Sequence, residues 1–532
     1  MPPMPWPCGV RQAWPDPPMR LSYRNLAAPP VWLASATLLP VGLALLPLVY
    51  IGVRASQTGL ADIGDELLRE RTLTLLINTI TLAVSVTLCS VVLGSAAAWC
   101  VERSDLWARR WWRVLAALPL AVPAFVSSYA WSSIDSSLQS MAGAILVLTL
   151  SSYPLVYLPV AAALRSADAT YEDVSRSLGD NAWNSLRRAL LPQILPALGA
   201  GALLVLSHML AEFGALSMLR VQTFTTAIFE SYELQFDSAS AALQSAVLMA
   251  LCLPAAYGET RLQAGKRLAR SGRGTRRPAP LTGLGRFQWS AAAGFATLAL
   301  LSLGIPLCTL AYWLIQGRSS GQGYAQIGPA LQGSISLSTT GAILTSLLAL
   351  PLVLLAVRHR GRLALLADRL PYIVHGLPGV VVALALVFLS LRIAPALYQS
   401  SALLLCAYAI LFLPLAQSSL RASVELASPE MEQVARSLGK RPLQVFVTVT
   451  LPRIAPGLGA ALALMMLEIM RELTATLMLA PTGITTLATE LWQHTADAEY
   501  AAGAPFAALL ILVSAAPVFI FTRRLLRQGE SS

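Results

Sequence analysis

Hydrophobic positions along the chain gather into twelve runs, beginning near Val31, Leu73, Val114, Met141, Pro196, Ala239, Ser290, Ser334, Tyr372, Ser401, Ala455 and Gly503. Each continues for about 20 residues, enough for a helix to cross roughly 30 Å of hydrocarbon. Six fall in each half. The stretches between them are short and polar: Ala55 to Glu70 carries Asp62, Asp65, Glu66 and Glu70, and Trp107 to Arg113 reads WARRWWR, a belt suited to a membrane interface. The pattern predicts an all-α integral membrane protein of twelve transmembrane helices.

The longest polar stretches repeat. Tyr171 to Gly201 reads YEDVSRSLGDNAWNSLRRALLPQILPALGAG and Met431 to Ala461 reads MEQVARSLGKRPLQVFVTVTLPRIAPGLGAA. A constant offset of 260 superposes Glu172 on Glu432, Arg176-Ser177-Leu178-Gly179 on Arg436-Ser437-Leu438-Gly439, Leu191-Pro192 on Leu451-Pro452, Ile194 on Ile454 and Pro196 on Pro456. Upstream, Asn78–Val101 matches Gly333–Ala356, and Pro123 matches Pro378, at an offset of 255. So many unlike residue types in one register indicate a duplicated unit, hence two pseudo-symmetric six-helix halves. We divide the chain into a tail (1–30), a first membrane domain (31–260), a Gly-, Pro- and Arg-rich linker (261–289), a second membrane domain (290–524) and a short tail (525–532). In each repeated loop Asp168 or Ser428 is expected to cap a helix that Gly179 or Gly439 ends. A short amphipathic helix should follow, broken by Pro192 or Pro452 before the next span.

Composition agrees with the hydropathy pattern: 56% of residues are hydrophobic, 12% are charged and the mean hydropathy is +0.62. The net charge of +11 would suggest nucleic acid if it lay on one soluble surface. Instead, with the N-terminus in the cytoplasm, 31 of the 38 Lys and Arg fall in the two tails and in the loops after even-numbered spans. That is the positive-inside asymmetry, and it places both termini in the cytoplasm with no nucleic-acid partner. Cys8, Cys89, Cys100, Cys252, Cys308 and Cys406 are scattered without CxxC or CxxH spacing, so neither a disulfide framework nor a thiolate metal site is expected.

The repeated loop resembles the EAA loop of permease subunits in binding-protein-dependent ATP-binding-cassette importers. The resemblance rests on a carboxylate, small residues, a Gly six positions after the carboxylate, and the Pro of a Leu-Pro thirteen beyond that Gly. It implies the type I importer permease fold, in the fused double-domain form, in a bacterial inner membrane. The loops would be coupling helices that dock on ATPase subunits through Glu172, Asp173, Ser177, Leu178, Gly179, Glu432, Ser437, Leu438 and Gly439. Both copies depart from the motif at the carboxylate, where Asp173 and Gln433 stand, each preceded by a Glu. The stretches EFGALSMLRVQTFTTAIFE from Glu212 and RELTATLMLAPTGITTLATELW from Arg471 are most similar to the iron(III) branch of the family; thiamine, phosphonate and polyamine remain alternative cargoes. The resemblance further implies a periplasmic substrate-binding protein and two ATPase copies per chain. Independently, the chain has no GxxxxGK[ST]: its two lysines, Lys266 and Lys440, are each followed by Arg. It is therefore not expected to be an enzyme or to hold a cofactor, and ATP and Mg would be bound by the ATPase.

Four ionisable residues fall inside predicted spans at the same offset of 260: His208 and Glu212 in the fifth, Glu468 and Glu472 in the eleventh. Each pair is spaced i, i+4 and is expected to share a helix face. Glu212 should lie about 15 residues into its run, roughly 23 Å along the helix. A charge at such depth costs on the order of 2.5–3.5 kcal/mol. Either the four line a translocation path and offer transient oxygen ligands to a cation, with Glu212 and Glu472 foremost and no stable metal site, or they bond to each other, to Arg471 or to freed backbone groups and hold the halves together. Beyond these spans, Val221–Ser238 and Pro481–Tyr500 match in placement and in a Thr-Thr step, Thr225-Thr226 and Thr485-Thr486. Short external helices are expected there, with Glu230, Glu233, Asp237, Glu490, Asp497 and Glu499 available for salt bridges to the binding protein or simply solvated. A secondary transporter would also explain the repeat and the intramembrane charges, but has no use for two matching polar knobs. A membrane enzyme would need a catalytic cluster such as HExxH, and none is found.

Overall fold

The computed structural model describes residues 29–57, 69–269, 281–317, 324–359 and 361–528. The N-terminal tail before Pro29, residues 58–68 with Asp62, Asp65 and Glu66 of the acidic loop, residues 270–280 of the expected linker and the last four residues lie outside these.

Each of the twelve apolar runs becomes a helix or a broken helix. Among the described residues nine helices are long and apolar enough to cross a membrane unaided: Val31–Arg54, Glu70–Arg103, Met141–Ser166, Trp183–Ala211, Ser238–Gly258, Phe287–Gly317, Ala325–Arg358, Ser401–Leu426 and Leu443–Arg471. The third span is a bent pair, Arg109–Ala121 and Ala124–Ile134, meeting at 88°. The ninth consists of Arg362–His375 and Gly379–Ile393, and the twelfth begins at Tyr500. The breaks in spans three and nine share a cause, since Pro123 and Pro378 lack the N–H that would continue the ladder and each stands just before a new helix.

Within a half, the body is a trio of packed helices: spans two, four and five in the first, and eight, ten and eleven in the second. Small residues let the backbones approach. A Cβ on Gly94 would lie 2.8 Å from the carbonyl oxygen of Tyr153, and one on Gly201 would lie 2.9 Å from Cα of Val156. The halves are interlocked by their first helices. Span one packs against spans eight and nine, while span seven packs against Ala124–Ile134 of the first half as well as against span twelve. Outward faces such as Ile77, Leu88 and Val92 of span two stay exposed and apolar, as contact with lipid requires.

The expected linker is shorter in irregular backbone than its composition suggested, because the sixth span continues as helix to Ala269. Where the chain is next described it is pinned to the end of span two. Thr282 donates its N–H to the carbonyl of Arg103 (2.8 Å) and accepts from Asp105 N–H (3.2 Å), and the Asp105 carboxylate accepts from Leu284 N–H (2.8 Å). This clasp delivers span seven to the first half.

Three-charge networks tie the helix ends together on the knob side. In the first half Glu102, nearly buried at the end of span two, is gripped through both oxygens by Arg113 (3.0 Å each) and by Arg165 (3.1 Å). In the second half Arg421 is held by Asp368 and by Glu425 (2.7 Å). Asp368 and Glu425 occupy the positions of Arg113 and Arg165, so the signs are inverted.

Candidate functional site

Each repeated loop holds a nine-residue helix, Ala169–Ser177 or Pro429–Ser437. The caps form as expected: Thr170 N–H donates to Asp168 (3.0 Å) and Glu430 N–H to Ser428 (3.3 Å). Gly179 and Gly439 take φ of +91° and +82° with open space where a Cβ would stand, so glycine is required for conformation rather than room. The N–H groups of Asp180 and Lys440 return to the carbonyls of Ser175 and Ala435 (3.2 Å each), closing both helix ends alike.

Pro192 and Pro452, expected to break the following helix, do not. Ala182–Ser185 runs through a π turn, Leu186–Leu190, straight into Leu191–Ala211, and Pro442–Val445 runs through Phe446–Thr450 into Leu451–Arg471. In the π turn Leu191 N–H reaches back to Leu186 and Leu451 N–H to Phe446. The wider turn places each proline where a new hydrogen-bonding register starts, and its missing donor costs little. Each knob is thus rigidly continuous with the fifth or eleventh span.

The knob helices have two faces. Tyr171, Val174 and Leu178, at i, i+3 and i+7, point outward in the first, and Met431, Val434 and Leu438 in the second; Leu178 is 80% exposed and Leu438 76%. Trp183 and Leu443, also exposed, extend the patches at equivalent positions. Asp173, Ser177 and Ser437 lie on this solvent side, with the serine hydroxyls bonded to the carbonyls of Val174 (2.7 Å) and Val434 (2.8 Å). Glu172 and Glu432 differ. They turn inward, Glu172 to Arg103 at the end of span two and Glu432 to Arg358 at the end of span eight (3.2 Å).

The intramembrane pairs straddle the ends of their helices, and only His208 and Glu212 are brought together. His208 and Glu468 lie on the fifth and eleventh spans, but those helices end at Ala211 and Arg471, and Glu212 and Glu472 adopt extended backbone as their C-caps. Each carboxylate then caps the short helix that follows. Glu212 accepts Ala215 N–H (2.9 Å); Glu472 accepts Ala475 N–H (2.9 Å), Thr476 N–H (3.0 Å) and the Thr476 hydroxyl (2.9 Å). A Cβ on Gly379 would stand 3.1 Å from the Glu472 carboxylate, so the glycine leaves it room. His208 Nε2 is 3.6 Å from Glu212, with its side chain about half exposed. Arg471 bonds to neither glutamate: it reaches Ser514 (2.9 Å) and the carbonyls of Leu120 (3.2 Å) and Ala121 (3.4 Å), freed where span three of the other half breaks. Just beyond the two glutamates the halves touch, Gly214 lying against Leu473. Among the described residues no three His, Cys, Asp or Glu side chains gather as a metal-ligand set.

Comparison with known sequences decides what this duplicated bundle is. Residues 90–265 and 341–528, one stretch in each half, match the family described as binding-protein-dependent transport system inner membrane component. The chain belongs to this permease family. It is 44% identical over 499 residues to the Fe(3+)-transport system permease protein FbpB 2 of Haemophilus influenzae, covering 93% of this chain and 98% of that one. It is 26% identical over 239 residues to the sulfate transport system permease protein CysT of Salmonella typhimurium, and 28% identical over 218 residues to a probable molybdenum ABC transporter permease of Haloferax volcanii. The first of these shorter matches covers 41% of this chain and 86% of its relative, the second 38% and 81%. The permease fold is therefore the duplicated type I importer fold.

On the side of the permease away from the knobs, Phe224–Glu233 and Leu487–Ala496 form the expected short helices. Their equivalence is not the Thr-Thr step. Thr223 and Thr486 are the structural counterparts, each opening a capping box with Thr226 or Thr489, and each preceding a residue whose N–H donates to span two or eight: Phe224 to Thr79 (3.1 Å) and Leu487 to Ser334 (2.8 Å). The second half carries three extra residues before its helix, in a turn where Gly483 takes φ of +87°.

The six acidic residues expected on this surface divide. Glu230 pairs with Arg71 at an exposed site (3.3 Å), Glu233 is half-buried, and Asp237 caps the sixth span by accepting from Ala239 (3.1 Å) and Ser240 (3.0 Å). Asp497 and Glu499 are exposed, Glu499 bonding to His494 (2.9 Å). Glu490 is only 5% exposed, 3.8 Å from His494 on its own helix, so it is not available to a docking partner. Its helix turns that face inward because Leu487 and Leu491 insert into the apolar interface between halves.

Arg103 and Arg358 were not singled out from the sequence, although they end matching spans at the offset of 255 and their partner glutamates match at 260. Arg471 was expected as a partner of the intramembrane glutamates, and its actual partners carried no signal, because its counterpart is Ala211 and they belong to the other half.

Proposed function

We propose that this permease is the membrane subunit of an ATP-driven importer for ferric iron. Each knob would receive one copy of a separate ATPase subunit, which binds the ATP and Mg. A periplasmic substrate-binding protein would dock on the opposite face, and both termini would be cytoplasmic. One observation carries the coupling role: two knobs of the same backbone geometry, each continuous with a core span, bear the same exposed apolar set at equivalent positions. Such surfaces favour burial by a partner. The 44% identity over nearly the full length of an iron permease supports the cargo.

Asp173, Ser177, Leu178, Gly179, Ser437, Leu438 and Gly439 then form the ATPase contact. Glu230, Glu233, Asp497 and Glu499 offer negative charge to the binding protein, while Asp237 caps the sixth span. His208 and Glu468 line the path at the fifth and eleventh spans. For Glu212 and Glu472 the backbone bonds favour a second role, holding the central turns where the halves meet, with any contact to the ion brief.

The test is ATP-driven uptake of radioactive ferric iron into proteoliposomes containing the chain, its ATPase and its binding protein. Leu178→Asp combined with Leu438→Asp should abolish ATPase retention and uptake. Glu212→Gln with Glu472→Gln should retain the ATPase, and iron uptake that falls while ATP hydrolysis persists would assign the carboxylates to the path. If wild type moves another cargo but not iron, the substrate assignment fails and the permease role stands.

A further inference from the structure

The two loop glutamates face away from the surface that the ATPase would cover. Glu172 and Glu432 project from the inner side of the knob helices, 14% and 15% exposed, and their partners Arg103 and Arg358 are 7% and 16% exposed. Arg103 is the last residue of Glu70–Arg103 and Arg358 the last of Tyr324–Arg358. Each arginine is fixed by more than its glutamate. The Arg103 carbonyl receives Thr282 N–H (2.8 Å); the Arg358 guanidinium also donates to the carbonyl of Ala427 (2.7 Å), and Glu432 accepts from the Thr450 hydroxyl (3.1 Å). The arrangement occurs twice, at positions that the duplication relates.

The knob helices otherwise pack chiefly on the π turns that follow them. A displacement of a knob therefore has two routes into the membrane. One runs along the unbroken helix into span five or eleven. The other is the ion pair, which reaches span two or eight. These spans pack together with span four or ten as one body, so both routes act on the same trio of helices.

We propose that Arg103–Glu172 and Arg358–Glu432 are positioning pairs that make each knob and its second or eighth span move together, so that ATPase closure is transmitted to the whole trio rather than to span five or eleven alone. The arginines and glutamates touch neither ATP nor cargo; they set the efficiency of coupling. A charge-assisted bond in a partly dry site suits this role, being stiff under load and dependent on both partners.

The proposal rests on the ATPase reading above, and ATPase co-purification with wild type tests that reading separately. The decisive quantity is cargo transported per ATP hydrolysed, measured in proteoliposomes for Glu172→Gln, Glu432→Gln, Arg358→Glu and the exchanged pair Arg358→Glu with Glu432→Arg. The single variants should keep the ATPase bound and hydrolysing while transport per ATP drops by about tenfold. The exchanged pair should restore most of it. Arg103→Lys and Arg358→Lys, milder changes that keep the charge but lose the fork, should show a partial loss and serve if a larger change prevents folding. Three results would overturn the proposal: an unchanged transport-to-ATP ratio in the single and lysine variants, loss of ATPase binding in Glu172→Gln or Glu432→Gln, or a folded exchanged pair with no recovery.

Discussion

A carboxylate at a membrane surface can be poised for a partner or spent on its own backbone, and Asp237 is spent. The Ser240 N–H, the Ser240 hydroxyl and the Ala239 N–H hold its carboxyl below the usual carboxylate range. A depressed pKa means that the contribution to stability is present above the ordinary value and is lost as pH falls through the depressed one. The protection factors of the amides at residues 238–243 should therefore be constant from neutral pH to about pH 4 and fall only below it. Asp237→Ala, which removes the acceptor, should lower protection there at neutral pH by an amount corresponding to about 1 kcal/mol. Equal protection at every pH in both proteins would mean that the cap contributes nothing. Glu212 and Glu472 are likewise spent on backbone N–H groups, deeper in the fold. The sequence places them in spans because the apolar runs continue past them, and no proline marks the end of the helix. What stops each helix is its surroundings: the carboxylate finds the next N–H groups, and Gly214 fits against Leu473 of the other half.

Among the elements, the helices themselves were legible from hydropathy because each apolar run has no stable place except in lipid or in the bundle. Breaks were less legible. Pro123 and Pro378 end helices, but Pro192 and Pro452 do not, since a π turn absorbs their missing donor. Local chemistry is identical and the neighbours differ. The repeat also misaligned the far-side helices, because the extra residues around Gly483 shifted the equivalence from the Thr-Thr step to the capping threonines. The broken third span has a further dependence on its partner half: Leu120 and Ala121 have carbonyls that Arg471 satisfies. Arg471→Met should leave them unpaired in a dry site and cost about 1–3 kcal/mol, seen as a lower melting temperature in detergent. A melting temperature equal to wild type would show that other donors take over.

For the whole molecule, the interlocked first helices decide what the fusion requires. Span one rests on spans eight and nine and span seven on the first half, so neither half completes its own packing. Expressed separately, each half should fail to accumulate in the membrane. Expressed together as 1–270 and 281–532, they should associate and recover transport, and recovery of a stable lone half would contradict the interlocking. The duplication was legible as two domains, whereas this exchange of helices was not, since offsets record ancestry and not contact.

The inverted charge networks carry a consequence for how such a chain can change. Glu102 with Arg113 and Arg165, and Arg421 with Asp368 and Glu425, do one job with opposite signs: the arms stand at matching sites, while the hubs do not, since Glu102 answers to Val357 and Arg421 to Ala161. Within each half the arms carry the sign that its own hub requires, so the members of a network can change only together. A gene-conversion event that copied Asp368 or Glu425 alone onto the site of Arg113 or Arg165 would set a carboxylate against Glu102, and a silent exchange would have to replace both arms and both hub sites together. The sign inversion thus acts as a barrier to homogenisation, allowing two halves descended from one ancestor to specialise without being drawn back to a common sequence.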